Sequence, residues 1–185
     1  MKKALVLAAV LVVALGSAAF AAEVGGVTVP DTATVDGKVL KLNGAGVRKK
    51  MMFKVYVAAL YVETPSKDAA TLISSNQIKS MRLHMTRSVE GAKVSGAVAD
   101  GFALNSKAAL PKLQSRLDQF AKMIPDTKEG EEIDMTWVPD KGTEVAVRGT
   151  NAGTIEGRDF ADALFSVWLG PSPVQDDLKQ ALLGG

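Results

Sequence analysis

The chain has 185 residues, 47% hydrophobic and 23% charged, with 22 basic and 20 acidic side chains, no cysteine and a single histidine, His84. That inventory excludes thiol chemistry and Cys-ligated zinc, makes any Ser-His-Asp triad depend on His84 alone, and leaves a two-His metal centre one histidine short. No cofactor and no metal is implied.

Lys2-Lys3, the apolar run from Ala4 to Leu15 and the small-residue triplet Ala19-Phe20-Ala21 have the order of a secretory signal peptide, with cleavage expected after Ala21. The apolar run is too short for a membrane-spanning helix. The expected location is the periplasm, or beyond it, of a bacterial-type exporter. Residues 22–185 then form one domain of 164 residues, large enough for a substantial core, and built without disulfides in a compartment that permits them. Lys2 and Lys3 leave with the leader, so this segment carries 20 basic and 20 acidic residues. A formally neutral domain offers no bulk electrostatic case for a nucleic-acid or anionic-membrane partner.

Val27-Thr28-Val29 before Pro30 reads as a short edge strand. Ala33 to Leu42 alternates through Val35, Val39 and Leu42, with Asp36-Gly37 as a hairpin turn. Gly44-Ala45-Gly46 reads as a glycine turn. It leads into Val47 to Glu63, where the cations Arg48, Lys49 and Lys50 enter a run rich in Val, Tyr, Phe, Met and Leu. That run is expected as strand buried on both faces, either one long strand or two with a bend near Lys50. Lys49 and Lys50 fit a strand mouth with their heads in water. Arg48 fits that role and a polar pocket equally well.

Thr64-Pro65-Ser66 turns the chain into a short helix, Ala69 to Ser75, with Asp68 near its start. Ile78 to Met85 alternates, placing Lys79, Met81, Leu83 and Met85 on the core face and Ser80, Arg82 and His84 on the polar face. A helix is expected from Ser88, as N-cap, to Leu104, and its glycines imply either a close approach or a cleft. Pro111 opens a second helix with Leu113, Leu117, Phe120 and Ile124 on one face. Glu132–Val138 and Glu144–Arg148 form a hairpin about Pro139-Asp140-Lys141-Gly142, followed by a turn at Asn151-Ala152-Gly153. Arg158 to Leu169 is a helix with Phe160, Ala163, Leu164, Val167 and Trp168 as its buried stripe. Gly170-Pro171-Ser172-Pro173 breaks it, and Gln175 to Leu183 closes the chain as a final helix. This is an α+β layout with helices on one face of a sheet.

Two segments, G-x-G-x-R followed by K-V-Y-V-A-A-L-Y-V-E, and A-L-F-S-V-W-L-G-P-S-P-V-Q-D-D-L-K-Q-A-L near the end, together resemble the chalcone isomerase family, and its bacterial chalcone isomerase-like members most. The resemblance covers nearly all of residues 22–185. It implies an open-faced β-sandwich, an antiparallel sheet packed against a helical layer with a ligand cleft between. Plant enzymes of that family close a flavanone ring by adding a phenolate oxygen to an enone; other members bind fatty acids. In both branches the Arg after the glycine element is a key residue, and here it is Arg48. The family's strand Thr falls on Tyr56, its helix Tyr near Glu90 or Gly91, its Asn near Gly96 or Ala97, and its C-terminal Ser/Thr and apolar neighbour on Val167 and Trp168. Arg48 alone of the polar set stands unchanged.

Three readings follow. In the first, the protein binds a small amphipathic or aromatic acid, with Arg48 and Tyr56 at the head group and Phe53, Val57, Gly96, Val167 and Trp168 along the tail. In the second it is an isomerase or intramolecular lyase, with Arg48 stabilising developing charge and Tyr56 as acid. In the third, Arg48 pairs with an internal carboxylate such as Glu63 or Asp134 and the protein is structural. A carboxylate facing Arg48 separates the third from the first two.

Overall fold

A computed structural model describes residues 21–185. The expected leader lies outside the described residues, apart from Ala21. Two strands not anticipated together open the fold: β1 (Ala21–Val24) and β2 (Val27–Pro30) pair antiparallel as a separate two-stranded sheet. Their turn, Gly25-Gly26, has both residues at positive φ (63° and 92°), the conformation that matches strand twist in a two-residue hairpin.

Seven further strands form one antiparallel sheet in sequence order: β3 (Thr32–Val35), β4 (Lys38–Lys50), β5 (Phe53–Val62), β6 (Lys79–Met85), β7 (Glu132–Val138), β8 (Gly142–Val147) and β9 (Thr150–Ile155). The long central stretch is thus two strands, joined by a two-residue turn at Met51-Met52. From Tyr56 to Val62 every residue of β5 is buried, as expected of a strand covered on both sides. Three expectations fail here. Val39 is 63% exposed while Leu40 is fully buried. The Asp36-Gly37 turn pairs Val35 with Lys38, so the face that holds Val35 continues through Leu40 and Leu42. Gly44-Ala45-Gly46 is not a turn but the middle of β4, after a register shift at Asn43. Asn151-Ala152-Gly153 is likewise strand, in β9; the turn before it is Arg148-Gly149, both at positive φ, and Ala152 is the extra residue of a bulge.

Helices cover one face of the sheet: α1 (Ala69–Ser74), α2 (Gly91–Asn105), α3 (Leu110–Met123), α4 (Arg158–Leu169) and α5 (Asp176–Leu182). Asp68 caps α1 by accepting from the Thr71 N–H at 2.9 Å. Ser88 is not the cap of α2, which starts at Gly91: Val89 is held in a bridge to Thr127, and that pairing delays the helix. The α4 stripe of Phe160, Leu164, Val167 and Trp168 lies in the main core with Phe102 of α2 and Phe120 of α3, as its spacing requires. On the other face, Val57, Ala59 and Tyr61 of β5 join Leu40 and Val29 in a smaller cluster beneath β1 and β2. Among the described residues, no helix is long and apolar enough to cross a membrane.

Lys79 sits on the core face of β6 and is buried. Its ammonium donates to the carbonyls of Leu72, Ile73 and Ser75, closing the C-terminal end of α1, and lies 5.1 Å from the Phe165 ring centre and 3.8 Å from Asp162 Oδ1. Burial pushes its pKa down from 10.5 to about 8, against the pull of Asp162. The folded chain therefore sheds this proton before the unfolded chain does, so stability rises with pH between 8 and 10.5. Denaturant titrations across that window should show a gain of up to about 3 kcal/mol. Lys79→Met should lose this slope; an unchanged slope in the variant would assign it elsewhere.

Candidate functional site

Between the sheet and the helices lies a cleft of about 710 Å³. Its floor is Arg48, Tyr56 and Leu83, one residue each from β4, β5 and β6. Its roof comes from Val94, Ala97 and Val98 of α2 and from Val167 and Trp168 at the end of α4. Arg48 and Tyr56 are direct cross-strand partners, so they point to the same face. Leu83 follows because β6 pairs with β5 in register, Val57 with His84 and Ala58 with Leu83.

Arg48 is half-buried and makes no ion pair among the described residues. Both carboxylates named as possible partners are engaged elsewhere: Glu63 holds Lys38 at 2.9 Å and Asp134 holds Arg82 at 2.7 Å. Arg48 donates through Nη1 to the Lys49 carbonyl and, at 3.0 Å, to Oε1 of Gln175. No carboxylate accepts from the guanidinium among the described residues, and the Tyr56 hydroxyl stands within its hydrogen-bonding reach, so a carboxylate brought to this point would meet both groups. Gln175 also accepts from the Lys49 N–H at 2.8 Å and donates to the Val47 carbonyl at 3.0 Å, so it sets the position of Arg48 from the opposite end of the chain.

Tyr56 is buried, and its hydroxyl accepts from the Trp168 indole N–H at 3.1 Å. Burial raises its pKa; the Trp168 N–H and the positive charge of Arg48 pull the other way without reversing the shift. The phenol is neutral at ordinary pH, a hydrogen-bonding group beside a fixed positive charge.

Of the other expected lining residues, Phe53, Val167 and Trp168 face the cleft. Val57 does not: it is on the opposite sheet face, one residue out of step with Tyr56. Gly96 does not line the cleft either; Ala97 does, and a Cβ built on Gly96 would meet nothing within 4 Å. The α2 glycines with a packing reason are Gly91, where a Cβ would meet the Ile124 carbonyl oxygen at 2.2 Å, and Gly101, where it would meet Val167 at 2.8 Å.

The glycine pair of β4 has its own cause. A Cβ on Gly44 would stand 2.1 Å from the Ala181 carbonyl oxygen, and one on Gly46 would stand 2.8 Å from the Ala181 Cβ. Bare backbone there lets α5 lie directly on the strand, and Asn43 locks the contact by donating to the Leu182 carbonyl at 2.7 Å and the Ser66 carbonyl at 3.0 Å. Docking α5 is what carries Gln175 to Arg48. Sequence reasoning missed Gln175; its place between a proline-rich break and a helix start was visible, its partner was not.

His84 lies on the outer face, its Nδ1 3.1 Å from Glu132 Oε1, in a cross-strand ladder with the Arg82–Asp134 and Ser80–Thr136 pairs. It takes no part in the cleft.

No curated protein matches the sequence. Among solved structures, a fatty-acid binding protein of Arabidopsis thaliana superposes with a TM-score of 0.70 at 15% identity, covering 85% of this chain and 92% of that one. At that identity the likeness speaks for the fold: a curled antiparallel sheet with helices packed on it. The family model described as chalcone isomerase-like matches residues 21–184, essentially the whole described chain, so this protein belongs to the chalcone isomerase-like family.

Proposed function

We propose that the protein is a periplasmic, non-catalytic binder of a small amphipathic acid, fatty-acid-like in kind, held in the cleft above Arg48. The observation that carries this is an Arg with no carboxylate partner among the described residues, at the floor of a cleft where apolar Leu83, Val94, Val98 and Val167 stand beside further charged residues such as Lys128 and Glu90. A buried or half-buried cation is costly to leave unpaired, and an anionic head group is the partner this geometry accepts. Tyr56 stands next to the same point, and Val94, Val98, Leu83 and Val167 offer the tail an apolar channel. The fatty-acid binding activity named for the Arabidopsis neighbour agrees with this reading. The expected leader supports export.

The isomerase reading has less support. It uses the same Arg48, but asks for acid chemistry from a phenol that burial makes a weaker acid.

Native mass spectrometry of gently purified protein beside Arg48→Ala tests the proposal. The expected result is a co-purified lipid or aromatic acid that the variant lacks, and a loss of affinity for an added long-chain fatty acid of about 10- to 100-fold, the worth of a charge-assisted hydrogen bond. Bare protein in both samples, with the variant less stable, would make Arg48 structural and end the binding reading.

A further inference from the structure

The tip of the β4–β5 hairpin is unlike the rest of the surface. Met51, Met52 and Phe53 are 90%, 92% and 58% exposed, three consecutive large apolar side chains of which Met51 and Phe53 also edge the cleft. Beyond Val55, which accepts from the Thr86 N–H, no third strand among the described residues pairs with the hairpin; apart from Lys54, whose ammonium donates to the Gly25 carbonyl at 3.0 Å, the tip projects as a two-stranded ribbon. Met51 sits at φ 56°, a conformation that Asn or Gly takes at lower cost, so the apolar side chain is not there for the sake of the turn.

The tip is bracketed by cations. Lys49 and Lys50 precede the apolar triplet, Lys54 follows it, and the Arg87 guanidinium lies 4.9 Å from the Phe53 ring centre. None of these four forms an ion pair among the described residues. The same side carries the mouth of the cleft, where Lys128 adds to them and Arg148 stands paired with Glu131. Its nearby carboxylates are largely committed: Glu90 to Lys93 at 2.7 Å, Glu131 to Arg148 at 3.0 Å and Asp126 to the Gly91 N–H at 2.9 Å. The domain is neutral overall, but this end is positive.

We propose that this hairpin tip is a membrane-docking element that inserts Met51, Met52 and Phe53 into the interfacial layer of a bilayer containing anionic phospholipid, with Lys49, Lys50, Lys54 and Arg87 at the head groups. An apolar wedge ringed by lysines and arginines is complementary to such a surface, since side chains of the first kind are buried in the acyl boundary and those of the second are attracted to its negative potential. A second copy of the chain is a poorer occupant, because it would bring like charge against like charge. Docked this way, the cleft mouth faces the bilayer, and an amphipathic ligand would move between membrane and cleft without crossing water. The docking itself goes beyond the ligand reading and does not require it.

The test is co-sedimentation with vesicles of phosphatidylcholine alone and of phosphatidylcholine mixed with phosphatidylglycerol. The purified protein without the expected leader, residues 22–185, is compared with its Met52→Ser, Lys49→Ser double variant; neither side chain lines the cleft. Partitioning is expected only onto the anionic vesicles, to weaken with salt, and to fall at least about tenfold in the double variant. Met52→Trp supplies a second readout, a blue shift of tryptophan emission on vesicle addition. Absence of binding, equal binding to both vesicle types, binding that the double variant retains, or a Met52→Trp emission that stays unshifted overturns the proposal. So does a concentration-dependent dimer in vesicle-free buffer that the double variant abolishes, which would assign the tip to a second copy. Fatty-acid titration without vesicles keeps the two ideas apart: the double variant should bind as the parent does, whereas Arg48→Ala should not.

Discussion

Trp168→Ala should lower the free energy of unfolding by about 3–5 kcal/mol, the range for deleting a large buried aromatic. Trp168 is 2% exposed and bridges two structures, packing in the helix-side core while its N–H is given to the Tyr56 hydroxyl. The alanine variant leaves a void that opens into the existing cleft, and it leaves the buried phenol without its donor. Denaturant unfolding at neutral pH measures the loss as a lower midpoint with an unchanged slope. Trp168→Phe separates the two causes: most of the volume is retained while the hydrogen bond is lost, so the cost should be about 1–2 kcal/mol. If the alanine variant lost less than the phenylalanine one, the ring would have to be largely solvated, contrary to its burial.

Gly44→Ala is the second large effect, and here a single methyl group is the cause. The new Cβ would meet the carbonyls of Ala181 and Leu182 at 2.1 and 2.7 Å. These are backbone atoms, so no side chain can rotate away and α5 must shift as a body, at a cost of about 1–3 kcal/mol or more. The shift should also reach the site: Gln175 leads into α5, and moving it loosens the hold on Arg48. Fatty-acid affinity is therefore expected to fall along with thermal stability, although Gly44 does not line the cleft. Gly96→Ala is the contrast. It adds the same methyl group inside α2 where nothing lies within 4 Å, so it should stabilise by about 1 kcal/mol and leave ligand affinity alone. If both glycine variants behaved alike, the close approach of α5 would not be the reason for the glycine in β4.

Much of the molecule was legible one segment at a time. The stripes of α3 and α4, the Asp68 start of α1, the Asp36-Gly37 turn and the alternation of β6, down to Lys79 on its core face, follow from periodicity and turn chemistry within a few residues of one another. Arg48 was singled out because a cation entering an apolar strand demands a reason, and because the flanking segments resembled a known family. That family and its fold proved correct. Two of the corrected expectations share a cause. Gly44-Ala45-Gly46 and Asn151-Ala152-Gly153 have the composition of turns, since glycine has poor intrinsic strand preference. In β4 that preference is overridden by the close packing of α5, and in β9 by pairing with β8 around a bulge.

What the sequence by itself determined was therefore local: which segments are helix or strand, which faces are apolar, and that Arg48 is out of place. Tertiary structure alone decided which groups meet. Gln175 reaches Arg48 across 127 residues, Trp168 reaches Tyr56 across 112, and the carboxylates of Glu63 and Asp134 are claimed by Lys38 and Arg82. Residues 22–185, with equal numbers of positive and negative side chains, also gather unpaired cations and their most exposed apolar triplet at one end. The physical reason is that propensity and periodicity act over a few residues. A charge's partner, a glycine's neighbour and the sign of a surface depend on which distant segments the sheet brings into register.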